Sequence, residues 1–220
     1  IDAGTVKAED VVATARSASH RDEITKTLGV TTSGDNTAAA RDADLVILGV
    51  KPYAAVEVLG KVSGVLKADA TVVSIAAGVT TEKLLRAWQG EVVRVMPNTP
   101  VQVGKGAFIV SPAPGAEKAA TKVGDLLESV GVVVTVPEKL HDAATAVSGS
   151  GPAYVFLVAE AMIDAAVAMG LPRNQASQLT VATLAGSAEL LTKGEHPAVL
   201  RSTVTSPGGT TAAALAALEA

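Results

Sequence analysis

Leu45-Val46-Ile47-Leu48-Gly49-Val50-Lys51-Pro52 and Thr71-Val72-Val73-Ser74-Ile75-Ala76-Ala77-Gly78 bracket the stretch that decides the fold. Each is a run of aliphatic and β-branched residues with no polar alternation, ended by glycine or small residues. Between them, Ala54–Leu66 repeats its apolar residues at helical spacing. Strands that are apolar on both faces must be covered on both, and a helix joining two of them makes them parallel. The same alternation extends outward. Further strands are expected at Val11–Ala15, Val92–Met96, Ala107–Val110 and Val132–Val136, and helices at His20–Leu28, Thr37–Arg41, Thr81–Trp88 and Ala116–Val130. The pattern predicts an α/β, doubly wound and mainly parallel sheet.

The character changes near Lys139. From Leu140 onward there is no strand signal, only Ala-rich helices with Pro152, Pro172 and Pro197 at first-turn positions. Two domains are expected: residues 1–138, α/β, and residues 139–220, all-α. Ile1-Asp2-Ala3-Gly4 reads as the tail of a helix stopped by glycine, and Ala220 falls inside a helical run. The expectation is a first domain without its opening strand and Gly-rich turn, and a second domain without a final helix.

Composition excludes several functions. Hydrophobic residues make up 48% and aromatics 2%, so the core is built from Ala, Val, Leu and Ile. With no cysteine there is no disulfide framework, Cys-ligated metal or Cys nucleophile. A net charge of −4 and the absence of a basic run give no reason to bind nucleic acid. Glu160 and Asp164 interrupt the apolar stretch Ala153–Met169 one helical turn apart, so it is expected to be a buried helix of a soluble protein, with no membrane partner.

Ligands of open α/β sheets gather at the carboxyl ends of the strands. Val50-Lys51-Pro52 puts a cation at one such end, Ala76-Ala77-Gly78 gives another room for close approach, and Asn98 follows a third between Pro97 and Pro100. Together they favour a nucleotide site. After Val11–Ala15 come Arg16-Ser17-Ala18-Ser19-His20-Arg21, with no acid before Asp22. An acid at this strand end would hold a ribose 2′-hydroxyl, whereas arginine suits a 2′-phosphate. Arg16, Ser17 and Arg21 therefore point to NADPH over NADH.

Thr205-Ser206-Pro207-Gly208-Gly209-Thr210-Thr211 runs directly into the helical Ala212–Leu218. A Pro-Gly-Gly turn lets backbone approach a ligand, and the unpaired N–H groups of a helix start favour an anion. The stretch holds hydroxyls but no ionisable residue, which suits a small carboxylate held by neutral donors.

Ala146-Val147-Ser148-Gly149-Ser150-Gly151-Pro152-Ala153-Tyr154, followed by a long helix and then residues 205–211, resembles pyrroline-5-carboxylate reductase. So do Val50-Lys51-Pro52 and Met96-Pro97-Asn98-Thr99-Pro100, in the same order. The resemblance implies an NAD(P)-binding Rossmann-like domain followed by a helical dimerisation and substrate domain. It implies NADPH-dependent reduction (NADH being the other candidate) of the cyclic imine 1-pyrroline-5-carboxylate to L-proline, in the cytoplasm, by a homodimer; rings of dimers occur in the family. It places the substrate carboxylate on the N–H groups of Gly209 and Thr210, with Ser206 and Gly208 in the same turn and the Thr211 hydroxyl near the ring nitrogen. Residues 148–152 are then structural, with Gly149 and Gly151 allowing close backbone approach.

None of His20, His141 and His196 falls in these motifs, so no strong general acid is visible; Thr211, water or a substrate bound as the iminium would supply the proton. The apolar circumference of Val155–Met169 and Leu179–Leu191 predicts an intertwined dimer. A β-hydroxyacid dehydrogenase shares the two-domain plan but carries a catalytic lysine on the first long helix of its second domain; here no lysine lies between Lys139 and Lys193. A non-catalytic nucleotide-sensing scaffold on the same fold is the other alternative.

Overall fold

The structure, a computed structural model, describes residues 1–219. It divides into two units, Ile1–Pro152 and the residues from Ala153 onward. In the first unit the strands are β1 (Val12–Thr14), β2 (Thr31–Ser33), β3 (Leu45–Leu48), β4 (Thr71–Ser74), β5 (Glu91–Met96), β6 (Gly106–Pro112) and β7 (Gly131–Thr135). The helices are α1 (Ala18–Leu28), α2 (Asn36–Ala40), α3 (Pro52–Val62), α4 (Thr81–Leu85), α5 (Glu117–Leu127) and α6 (His141–Ser148).

Strands β3 to β7 form one sheet in chain order, and β1 pairs with β2 in a separate parallel ribbon. Pairs β3–β4, β4–β5 and β6–β7 are parallel, but β6 runs antiparallel to β5, so the sheet is mixed. The reason lies in the connection. Residues 97–105 between β5 and β6 hold only a short 3₁₀ turn at Thr99–Val103, and an antiparallel neighbour needs no crossover helix.

Two local expectations change. Residues 1–4 make a single turn, with Gly4 N–H donating to Ile1 O at 2.8 Å, and not a helix. Strand β2 has no counterpart in the sequence reading, because Thr-Thr-Ser carries neither apolar alternation nor an apolar run.

The core sits where the sequence puts its aliphatics. All four residues of β4 are buried, as are Val92 and Val93 of β5 and Val110 of β6. Helix α3 covers them with Ala55, Leu59 and Val62 at helical spacing. Helix α5 covers them with Ala119, Ala120 and Val123, small side chains that let it lie close to β6 and β7. Lys51 and Pro52 start α3 at N-cap and first-turn positions, and Thr80 caps α4 by accepting from Lys83 N–H.

The second unit continues α7 (Gly151–Ala168), followed by α8 (Arg173–Leu191), α9 (Pro197–Thr203) and α10 (Thr210–Leu218). Pro152 and Pro197 lie in first turns, whereas Pro172 is the N-cap of α8. Helix α7 is apolar nearly all round, yet none of its residues is buried, and α8 buries only Ala176 and Thr180. The expected burial of this apolar stretch is therefore not achieved within one chain. By length and composition, the helical stretch that includes α7 could also cross a membrane.

Candidate active site

Parallel register lines up the carboxyl ends of β3, β4 and β5: Leu48 lies opposite Ser74, and Ser74 opposite Arg94. The expected residues Val50, Lys51 and Pro52, then Ala76, Ala77 and Gly78, and then Asn98 thus follow neighbouring strands along one edge. Lys51 is exposed, and its ammonium forms no hydrogen bond or ion pair among the described residues, while its carbonyl accepts from Ala54 N–H at 2.9 Å. Ala76 N–H donates to the buried Ser74 Oγ at 3.4 Å. Gly78, at φ 70°, completes a turn in which Val79 N–H reaches Ala76 O at 3.5 Å. These small residues leave backbone at the surface of the turn.

Asn98 has a different duty. Its Nδ2 donates to Ser148 O at 3.1 Å, and its Oδ1 accepts from Ala107 N–H at 2.8 Å. The side chain ties the end of β5 to the start of β6 and to the last residue of α6. It orders the strand end, with one Nδ2 hydrogen and one Oδ1 lone pair unused by these two bonds.

At the end of β1, Ser17 caps α1 by accepting from His20 N–H at 3.3 Å. No acid occupies the first turn of α1, and the Arg16 guanidinium has no partner among the described residues. Arg21 bends back instead, donating from Nη1 to Ala15 O at 2.8 Å and to Arg16 O at 3.0 Å. An unpaired arginine beside a capped helix start with no acid has the donor chemistry for a phosphate.

In the second unit the turn Ser206–Gly209 closes with Gly209 N–H on Ser206 O at 3.1 Å. Gly208 sits at φ 69°, the left-handed region that glycine adopts without strain. At Gly209 a Cβ would come within 2.5 Å of Ser206 Oγ. Ala213 N–H already reaches Gly209 O at 3.2 Å, so the orphan donors at the start of α10 are those of Thr210, Thr211 and Ala212. Gly209 N–H, which the resemblance assigns to the substrate, is used inside the turn. The hydroxyls of Ser206, Thr210 and Thr211 have no partner among the described residues. His196 is the N-cap of α9, its Nδ1 accepting from Ala198 N–H at 3.2 Å, so it is occupied structurally.

One cluster was not foreseen. Arg94 of β5, 3% exposed, donates to Glu138 at 2.9 Å, and Glu138 also accepts from Thr81 N–H at 2.7 Å and from the Thr81 hydroxyl. Burial opposes ionisation of Glu138, but the two Thr81 donors and Arg94 outweigh it and hold the carboxyl below its usual range. Beside it His141 is buried, with Nδ1 2.8 Å from Ser111 Oγ. Because the Ser111 hydroxyl donates to Val136 O at 2.9 Å, His141 Nδ1 carries the proton in this pair. Burial, followed by the Arg94 charge, pushes His141 below its ordinary value. A lone arginine inside Val92-Val93-Arg94-Val95 was the available signal, since a buried charge demands a partner.

Comparison with known proteins supplies the family. Residues 138–220 match the family described as pyrroline-5-carboxylate reductase dimerisation, and residues 1–78 that described as NADP oxidoreductase, coenzyme F420-dependent. A pyrroline-5-carboxylate reductase of Corynebacterium melassecola is 42% identical over 99% of this chain and 83% of its own length. The chain belongs to the pyrroline-5-carboxylate reductase family. The family member of Arabidopsis thaliana is 40% identical over 91% of this chain and 74% of its own. Among solved structures, the Plasmodium falciparum pyrroline carboxylate reductase, with NADP bound, is 35% identical. It superposes with a TM-score of 0.88 over 99% of this chain and 82% of that one. The Coxiella burnetii pyrroline-5-carboxylate reductase gives 0.87 and 35% identity over 97% and 81%.

Proposed function

We propose that this chain reduces 1-pyrroline-5-carboxylate to L-proline with NADPH, the last step of proline biosynthesis. The observation that carries the substrate is the turn at residues 205–211: three orphan N–H groups and three free hydroxyls, with no charged side chain among them. The substrate's one carboxylate suits such a cradle. Thr210, Thr211 and Ala212 hold it through their N–H groups, with Ser206 beside them, while Gly208 and Gly209 shape the turn. Thr211 keeps a proton at its Oγ1 next to the ring nitrogen, where the product amine must gain one. NADPH supplies the hydride. Arg16 and Ser17 hold its 2′-phosphate, and Lys51 with Ala76, Ala77 and Gly78 lines the approach along the strand ends.

The division of labour we propose puts nucleotide binding in residues 1–138 and substrate binding with dimerisation in residues 139–220. Helices α7 and α8 expose Phe156, Leu157, Leu179 and Val181, an apolar surface that a second copy of the chain covers. Larger assemblies, such as a ring of dimers, would build on that unit through other faces. On the same reading the enzyme works in the cytoplasm as a soluble protein. A β-hydroxyacid dehydrogenase is disfavoured, since α7 and α8 carry no lysine.

Linkage tests the binding half of this reading. L-Proline should raise the melting temperature in the presence of NADP⁺ and do so less without it. A melting temperature indifferent to proline at any nucleotide concentration contradicts the substrate assignment.

A further inference from the structure

The chain leaves β1 through Ala15, Arg16 and Ser17, and one guanidinium organises that exit. Arg21 Nη1 has two N–H groups, and both are used, one on Ala15 O at 2.8 Å and the other on Arg16 O at 3.0 Å. The same nitrogen lies against Gly34, just past β2, where a Cβ would approach it to 3.2 Å. Ala15 N–H donates in turn to Ser33 O at 3.2 Å. The ends of β1 and β2 and the first turns of α1 thus meet on a single side chain. The Arg16 guanidinium is left without a partner among the described residues, and the Ser17 hydroxyl stays on the helix cap.

We infer that Arg21 is a positioning residue for the cofactor's 2′-phosphate and does not itself hold it. Two carbonyl oxygens just ahead of the α1 N-terminus would oppose an anion there. Arg21 neutralises both and fixes the backbone from which Arg16 and Ser17 project. Lysine cannot replace it, because its ammonium lies one bond nearer the backbone than Nη1 and its tetrahedral N–H groups lack the planar pair with which Nη1 spans the two carbonyls. Gly34 belongs to the same device, since its bare Cα is what leaves the guanidinium its place. This inference rests on the NADPH reading proposed above.

The test is titration of NADPH and NADH by the change in nucleotide fluorescence on binding, with wild type, Arg21→Lys, Arg21→Gln and Gly34→Ala. Thermal melts verify that each variant is folded. All three variants should lose NADPH affinity about tenfold, the scale of one charge-assisted hydrogen bond, while NADH affinity stays within about twofold. Wild-type NADPH affinity in Arg21→Lys, with a loss in Arg21→Gln, overturns the inference in favour of direct contact through charge. Equal loss of both nucleotides overturns it in favour of general support of the fold. Wild-type protein that binds NADH as tightly as NADPH sinks the NADPH reading itself, and this inference with it.

Discussion

In the proposed reaction Thr211 is the side chain assigned to the proton, since no histidine or carboxylate lies in the 203–211 stretch. If its hydroxyl relays the proton, Thr211→Ala lowers kcat by about a hundredfold, the lower range for a positioned proton donor, whereas Thr211→Ser keeps most of the rate. Steady-state kinetics on both variants decides it; unchanged kcat in Thr211→Ala removes the residue from the mechanism. Gly209 acts through shape. A Cβ there meets Ser206 Oγ at 2.5 Å, so Gly209→Ala must push the serine aside or distort the turn. KM for pyrroline-5-carboxylate should rise roughly tenfold, equivalent to about 1.4 kcal/mol of binding, with thermal stability little changed. An unaltered KM would mean that the turn does not hold the substrate. Gly149 sits 3.0 Å from Thr145 measured at a hypothetical Cβ, a close approach inside the chain, while a Cβ at Gly151 would meet nothing within 4 Å of it in the same chain.

At the scale of elements, the Arg94–Glu138–Thr81 and Ser111–His141 contacts pin the start of α6 and the turn before it onto α4, β5 and β6. Arg94→Ala leaves Glu138 partly buried without its cation and should cost about 3 kcal/mol in denaturant unfolding. A cost below about 1 kcal/mol would place the pair among weak surface bridges. Both Glu138 and His141 titrate below their ordinary values, so on acidification the unfolded chain takes up protons first and the fold loses stability. For His141 the loss starts near its ordinary 6.5 and runs downward; for Glu138 it starts near 4.5. His141→Asn keeps a donor for Ser111 but cannot titrate, so its melting temperature should stay flatter than wild type between about pH 7 and 5. Parallel curves for the two proteins would contradict that role. Much of this scale was legible in advance. The apolar runs located six of the seven strands, and Pro152, Pro172 and Pro197 located the starts of three helices, because both rest on local chemistry. The polar strand β2 and the turning of Asn98 toward Ser148 depend on contacts between segments far apart in sequence, whereas the antiparallel β6 and the folding back of Arg21 rest on short-range geometry that residue type alone does not display. Even a well-read strand can mislead about exposure. Leu45–Leu48 is apolar throughout, yet Ile47 is exposed, since β3 pairs only with β4.

For the whole molecule, the uncovered helices set the expectation. Phe156 and Leu157 are 64% and 66% exposed, and a helix with no buried residue has little reason to persist alone in water. Sedimentation should therefore give a dimer, and Leu157→Asp should shift it toward monomer and lower stability. A wild-type monomer at micromolar concentration would contradict the shared helical surface. The Pro-Gly-Gly turn and the Arg16–Ser17 strand end lie in separate units, each with part of the chemistry that the proposed reduction needs. The most direct measurement is the loss of NADPH absorbance when 1-pyrroline-5-carboxylate is added to the enzyme, with NADH run in parallel. Rapid oxidation that yields L-proline, faster with NADPH, is the predicted result; a folded dimer that oxidises neither nucleotide would contradict the assignment and leave a nucleotide-binding scaffold.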